Sequence, residues 1–316
     1  MQNAILKRIQ NVNGLFLAAP NAKTGYHRVW IRDNIYALFG FEQIKTVHAI
    51  LDILKKHSYK IDWMIKQPTK EGWRYVHPRY DENGNEIAEP WGWKQNDSIG
   101  ALLWKIGEMD KKGKFEWRTG DKEIVQKLVN YLQAIEYWHD SDNGMWEEKE
   151  EVHASSVGAC LAGLLAVGEI VHVPLHLIAH GEHALRTLLP RESVTKHTDL
   201  ALLSLIWPYK IVTAQERELI LKNVEELVRE KGVIRYEGDL YYGNGKEAEW
   251  TMGFPWLAII YKELNEMNKY YFYLNKARNT VNSNGELPEL YFGGTSTHNE
   301  NTPLTWAMSL MEVAEK

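Results

Sequence analysis

Apolar residues recur at three- and four-residue intervals through most of this chain, the spacing of one face of a helix. The clearest case is Ile44, Val47, Ile50, Leu51 and Leu54, which predicts a helix with one buried stripe. Residues 4–12 read as a short amphipathic helix. Gly14-Leu15-Phe16-Leu17-Ala18-Ala19-Pro20 follows as an extended, mostly buried entry segment. The next helix is expected to run to about Phe39, capped by Asp33 or Asn34 and ended by Gly40. Further helical patterns occupy about 96–110, 122–139, 154–167, 175–189, 198–207, 214–230, 254–267, 269–278 and 304–315. Strand-like alternation is almost absent. About twelve antiparallel helices must hide as many apolar stripes against one another. A closed double ring, an inner set of helices sheathed by an outer set, does this at a length of 316 residues. The expectation is a single all-α domain over residues 1–316.

Three stretches break the helical period. Pro68, Gly72, Pro78, Pro90 and Asp81-Glu82-Asn83-Gly84-Asn85 mark a long loop from Gln67 to Pro90, with a hairpin turn expected at Asn83-Gly84. Gly232 to Trp250 is rich in Tyr and Gly, and Asn282 to Pro303 forms a third irregular region. A loop that long inside a compact domain is usually functional. Set side by side, Tyr26 to Asp33, Trp91 to Asp97, Trp146 to Glu148, Arg235 to Asp239 and Glu286 to Tyr291 share one property. Each holds aromatics beside an Arg, Asp, Gln or Glu. Pyranose sugars need that mixture, because their faces stack on Trp or Tyr and their hydroxyls are held by Arg and carboxylates.

Composition narrows the classes. The net charge of −5 argues against nucleic acid as the main partner. Thirteen Trp and sixteen Tyr against seven Phe put the aromatic excess in side chains with a polar handle, which suits sugar stacking. Trp256 and Trp306 lie on apolar helix faces and read as core. The single cysteine, Cys160, excludes an intramolecular disulfide and reads as a small core residue. The N-terminal residues carry no continuous apolar run and no segment approaches membrane length, so a cytoplasmic location is expected, with no membrane partner. His77, His153 and His298 have no metal-ligand spacing, and neither a metal nor a cofactor is expected. His153 reads as structural, and Lys149, Glu150 and Glu151 as a solvated turn.

Gly144-Met145-Trp146-Glu147-Glu148 carries the candidate chemistry, just ahead of a helix rich in Ala, Ser, Gly and Cys. Cleaving a glycosidic bond takes one carboxylic acid to protonate the leaving oxygen and a second carboxylate across the sugar. An apolar tryptophan wall and a like-charged neighbour are the surroundings that keep a carboxyl protonated, which makes Glu147 a candidate acid. Acidic residues also gather ahead of helices for electrostatic reasons alone. The rest of the chain decides between the two.

Seven stretches, in order, resemble the glucoamylases of glycoside hydrolase family fifteen and the related glucoamylase-like domains of the phosphorylase kinase α and β subunits. They are Tyr26-His27-Arg28-Val29-Trp30-Ile31-Arg32-Asp33-Asn34, Trp91-Gly92-Trp93-Lys94-Gln95-Asn96-Asp97, and Trp146-Glu147-Glu148 with His153-Ala154-Ser155-Ser156-Val157-Gly158. Arg235-Tyr236-Glu237-Gly238-Asp239, Trp250-Thr251-Met252-Gly253-Phe254-Pro255-Trp256-Leu257, Glu286-Leu287-Pro288-Glu289-Leu290-Tyr291 and Thr302-Pro303-Leu304-Thr305-Trp306-Ala307 complete the set. The resemblance implies an (α/α)6 barrel and an inverting, exo-acting α-glucosidase that releases β-glucose. It implies Glu147 as general acid and Glu289 as the general base that activates water. Arg32 and Asp33 resemble the pair that holds the terminal glucose, Tyr26 the aromatic beside the developing oxocarbenium ion, and Trp91 the tryptophan over the innermost subsite. Glu148 and Arg235 resemble the groups on the leaving-group side, and Trp146 completes the substrate-binding set. All of these are expected around one pocket. With no starch-binding module or β-rich N-terminal domain in this stretch, short soluble oligosaccharides are the expected substrates. A non-hydrolytic glucan-binding module of the kinase-subunit kind is the alternative, as is a trehalase or α-1,6-glucosidase on the same residues.

Overall fold

The computed structural model describes residues 2–89 and 91–316; Pro90, the end of the expected long loop, lies outside the described residues. Among the described residues thirteen α-helices follow one another. They are α1 (Gln2–Ile9), α2 (Ile31–Gly40), α3 (Ile44–Lys56), α4 (Ser58–Lys66), α5 (Asn96–Lys111), α6 (Asp121–Ile135) and α7 (Ala154–Val167). Then come α8 (Leu175–Leu188), α9 (Leu203–Ile206), α10 (Ala214–Glu226), α11 (Gly253–Glu263), α12 (Met267–Arg278) and α13 (Thr305–Glu315). Strands among these residues are two residues long. Glu249–Trp250 pairs antiparallel with Leu290–Tyr291. No described helix is long and apolar enough to cross a membrane.

The chain divides into two compact units, one of residues up to Gln43 with Thr198–Trp207 and Val212–Lys316, the other of Ile44–His197 with Pro208–Ile211. In the first, α2 packs on α13, and α11 on α12 and α13. Ser309 of α13 lies against the end of α2, where its Oγ accepts from Gly40 N at 2.8 Å and donates to Tyr36 O at 2.6 Å. A Cβ on Gly40 would stand 2.8 Å from Ser309 O, so only glycine lets the backbones meet there. Tyr36, Trp256 and Trp306 pack edge-on or tilted in the buried layer beneath. Trp256 Nε1 donates to Trp207 O at 2.9 Å, which satisfies its one polar atom. Both tryptophans are core, as their helix faces predict.

In the second unit the dominant pairing is α5 against α7. A Cβ on Gly100 would fall 2.3 Å from the Ala159 carbonyl carbon, one on Gly107 2.4 Å from Ala166 O, and one on Gly163 2.5 Å from Gly100 O. The small residues of α7 therefore serve close backbone approach, and Cys160 is buried there with its Sγ 3.2 Å from Asn96 O. Burial pushes that thiol well above its ordinary pKa. The turn expected at Asn83-Gly84 is present: Gly84 has φ +71, and Asp81 Oδ1 accepts from Asn83 N at 2.8 Å and Asn85 N at 2.9 Å.

Several boundaries differ from the sequence reading. Asp33 and Asn34 do not cap α2, which begins at Ile31 with Trp30 at the N-cap. The Asn34 amide is used across the fold instead: its Oδ1 accepts from Phe16 N at 2.7 Å and its Nδ2 donates to Phe16 O at 3.0 Å. Helix α4 is not marked by the apolar period, because Tyr59 and Trp63 lie half-exposed on it and blur the stripe made by Ile61 and Met64. The 122–139 pattern stops at Ile135, where Glu136 takes a left-handed φ of 57°. The 214–230 pattern ends at Glu226, and 198–207 resolves into a 3-10 turn over Leu200–Leu202 followed by α9.

Candidate active site

In the second unit, the turn carrying Glu147 is locked to the segment carrying Trp91. Asn143 N donates to Lys94 O at 2.7 Å, and Lys94 N returns a bond to Asn143 Oδ1 at 2.9 Å. Asn143 Nδ2 donates to Glu148 O at 2.6 Å, and Glu148 N to Asn143 O at 2.9 Å. One asparagine thus fixes both strands of the turn. Glu147 sits at its tip with φ +62, a left-handed backbone that costs a non-glycine residue on the order of 1–3 kcal/mol and clusters at functional sites. The indole Nε1 of Trp91 donates to Glu147 Oε2. The guanidinium carbon of buried Arg79 lies 4.2 Å from the centre of the Trp91 ring, and Trp91 is 38% exposed. A side chain at Gly92 would meet Glu147 O at 3.0 Å, so glycine there allows the approach. Trp146 and Glu148 are half-buried, and Lys196 Nζ donates to Glu148 Oε2 at 2.6 Å.

A second layer stabilises this turn. Glu192 accepts from Ser155 N at 3.1 Å and Ser155 Oγ at 2.5 Å, and lies 3.3 Å from His153 Nδ1. Burial alone would lower the pKa of His153, but the bond and charge of Glu192 overcome it and hold it at about 9. Asp142, buried close to His153 and Asp97, is pushed up to about 7 by burial. His153 is structural, as expected. Glu151 is not part of a solvated turn: its carboxylate accepts from Thr195 N at 3.1 Å and Thr195 Oγ1 at 2.6 Å, and its backbone pairs with Asp142. Lys149 and Glu150 are exposed as expected, although Glu150 holds buried Lys94 at 2.6 Å.

In the first unit the arrangement centres on Glu289, which is 1% exposed and stands just before the strand Leu290–Tyr291. Its backbone is tied on both sides, N to Asn301 O at 3.0 Å and O from Thr251 N at 3.2 Å. Three donors reach its carboxylate. Tyr26 Oη donates to Oε1 at 2.7 Å, while Asn299 Nδ2 at 2.5 Å and Asn301 Nδ2 at 2.7 Å donate to Oε2. Thr24 Oγ1 donates to Asn301 Oδ1 at 2.5 Å, which fixes the amide with its nitrogen toward Glu289. The single O–H of Tyr26 is engaged with Glu289, so in its 2.9 Å bond with Tyr241 the donor is Tyr241. Burial pushes the Glu289 carboxyl above the ordinary glutamate range, and the three donors with the charge of Arg235 oppose that rise. Burial and the Glu289 charge hold Tyr26 protonated far above the ordinary phenol range.

Arg235, 2% exposed, is clamped bidentately by Asp239, Nε to Oδ2 at 2.7 Å and Nη2 to Oδ1 at 2.6 Å. Its guanidinium carbon lies 4.9 Å from the ring centres of both Tyr241 and Trp250. Asp239 Oδ1 also accepts from Tyr241 N at 3.0 Å, so one carboxylate orders the arginine and the tyrosine together. Arg32 and Asp33 are buried in the first turn of α2, with the Arg32 guanidinium carbon 5.9 Å from the Trp306 ring centre. Tyr26, Arg32, Asp33, Arg235 and Glu289 thus belong to one unit, and Trp91, Trp146, Glu147 and Glu148 to the other.

A family model described as Glycosyl hydrolases family 15 matches residues 1–175, more than half of the chain. The chain belongs to glycosyl hydrolase family 15. This family member is 25% identical over 287 residues to the isomaltose glucohydrolase of Kribbella flavida, covering 77% of this chain and 70% of that enzyme. It is 26% identical over 274 residues to the skeletal muscle phosphorylase b kinase regulatory subunit alpha of Oryctolagus cuniculus, 72% of this chain. It spans only 22% of that subunit's length. Among solved structures, a wild-type glycosidase superimposes with a TM-score of 0.85 at 20% identity, over 99% of this chain and 94% of that one. The glucoamylase from Saccharomycopsis fibuligera gives 0.69 at 14% identity, over 98% and 91%. These likenesses establish the fold: the family 15 chain is an all-α (α/α)6 barrel, as expected.

The sequence reading missed Tyr241, Asn299 and Asn301, the groups packed around Tyr26 and Glu289. Each lies in an irregular region it had marked, but asparagine in a loop reads first as a turn former. It also missed a histidine pair. His176 and His180 stand four residues apart on α8, a spacing that can hold a metal ion.

Proposed function

We propose that this family 15 glycosidase is an inverting, exo-acting α-glucosidase that removes β-D-glucose from the non-reducing ends of short α-glucans or α-glucosides. The observation that carries the reading is the Glu289 carboxylate. It is buried, receives three hydrogen bonds that favour its ionised form, and lies near the cationic Arg235. A binding module has no use for such a base. In this reading Glu289 takes the proton of the attacking water, and Tyr26 steadies the carboxylate beside the developing oxocarbenium ion. Glu147 protonates the leaving oxygen, with Trp91 orienting its carboxyl through the indole N–H. Arg32 and Asp33 hold the hydroxyls of the terminal glucose, and Trp91 and Trp146 supply stacking surface. Glu148 and Arg235 grip the sugar on the leaving side.

The Kribbella flavida relative hydrolyses isomaltose by its name, which puts the α-1,6 linkage beside α-1,4 among the bonds to test. The phosphorylase kinase match supports a second reading, a glucan-binding regulatory module without hydrolysis. Glucose release from maltose, isomaltose, trehalose and maltoheptaose separates them. We expect glucose as the sole early product from maltoheptaose, in the β form by proton NMR before mutarotation. Early maltose would mean an endo mode, and α-glucose would mean retention. Binding of maltooligosaccharide with no cleavage of any substrate would favour the module.

The base has a pH signature. Because the hydrogen bonds to Glu289 favour its ionised form, deleting one moves its pKa further up, and base function is lost at a higher pH as the medium is acidified. Asn299→Ala is the cleaner change, since Asn301 also answers to Thr24. On an α-glucosyl fluoride, the acidic limb of kcat/KM should move to higher pH while the alkaline side stays in place. An unmoved acidic limb would remove Glu289 from the base role.

A further inference from the structure

Helix α8 buries Leu177, Gly181 and Leu185, and packs on α7. Tyr137 Oη donates to Leu177 O at 2.9 Å, and a Cβ on Gly181 would fall 2.0 Å from Tyr137 Oη, so the buried side is tightly set. The other side is exposed and carries His176, His180 and His183. His176 and His180 are one turn apart, and helix geometry stacks their side chains along the same line. Their ring centres lie 5.9 Å apart. Two imidazole nitrogens bound to one zinc-sized ion at about 2.0–2.1 Å can stand no more than ~4 Å from each other. Exposed rings at the observed separation reach that by side-chain rotation alone. Trp138 packs on the His180 ring with centres 4.6 Å apart.

We propose that His176 and His180 form a surface site for a borderline divalent transition metal ion, Zn²⁺, Ni²⁺ or Cu²⁺. The ligand class follows from the donors: imidazole suits these ions, whereas Mg²⁺ and Ca²⁺ demand oxygen. Among the described residues no group of three or more His, Cys, Asp or Glu side chains is arranged to hold a metal. The ion is therefore held by two imidazoles, with water in its remaining positions. The site lies on the outer face of α8, shares no residue with the glycosidase machinery, and does not depend on the proposed activity.

Titration calorimetry of the full, untagged chain with ZnCl2, NiCl2, CuCl2 and MgCl2 at neutral pH tests it. We expect one equivalent of each transition metal, Cu²⁺ bound most tightly, and no binding of Mg²⁺. His176→Ala and His180→Ala should each weaken binding roughly tenfold or more, because either change leaves a single ligand without its chelating partner. His183→Ala and His139→Ala should leave it unchanged. Alanine at exposed helix positions preserves the helix, and circular dichroism checks that it does. No binding of any transition metal at millimolar concentration overturns the proposal. So does binding that survives both His176→Ala and His180→Ala, or that is lost with His139→Ala instead.

Discussion

Glu289→Gln is expected to stop glucose release from every substrate the chain cleaves, glucosyl fluoride included. The loss should be roughly 10³-fold or more, about 4 kcal/mol of transition-state stabilisation. An amide cannot take a proton from water at neutral pH, and a fluoride leaving group does nothing to replace that step. The surroundings of Glu289 accommodate the change. A glutamine can present its carbonyl oxygen to Asn299 and Asn301, which need an acceptor, and its NH2 group to Tyr26. Tyr26 then accepts and passes its own proton toward Tyr241, so the bond between the two phenols reverses without breaking. Thermal stability and sugar binding should therefore stay close to those of the parent chain. Turnover near the parental rate, with melting temperature unchanged, would remove Glu289 from the mechanism.

Glu147→Gln should fail selectively. From maltose and isomaltose the departing glucose is a poor alkoxide that needs a proton, so their hydrolysis should fall about 10³-fold. Glucosyl fluoride leaves with little protonic help and should keep most of its rate. The variant can still offer an oxygen to the Trp91 indole, and the left-handed backbone at φ +62 strains glutamine no more than glutamate. A uniform loss on both substrate types would indicate damage to binding rather than loss of an acid. The contrast between the two variants is the informative measurement, because a misfolded or loosened site cannot produce it.

Much of the architecture was legible in the helical period. Ile44, Val47, Ile50, Leu51 and Leu54 repeat at that spacing, and α3 buries Val47, Ile50, Leu51 and Leu54. The apolar faces around Trp256 and Trp306 likewise marked core positions that the fold fills. The small residues of α7 stood out in the sequence, whereas their close backbone contact with Gly100 and Gly107 of α5 was decided by the packing of the two helices. The stretches around Trp91, Glu147, Arg235 and Glu289 stood out because aromatics and charges crowd there in irregular segments.

Sequence alone could not say which neighbours those residues acquire. Asn34 has the composition of a helix cap, yet its amide is taken by the Phe16 backbone of the entry segment. Glu151 has the composition of a solvated turn, yet Thr195 claims its carboxylate. Tyr241, Asn299 and Asn301 carry no local signal, because a hydroxyl or amide in a loop satisfies local turns as readily as a distant partner. Side-chain hydrogen bonds depend on a few tenths of an ångström and on burial. Both are decided only when distant segments close on one another, as Tyr26, Tyr241 and the 299–301 loop do around Glu289.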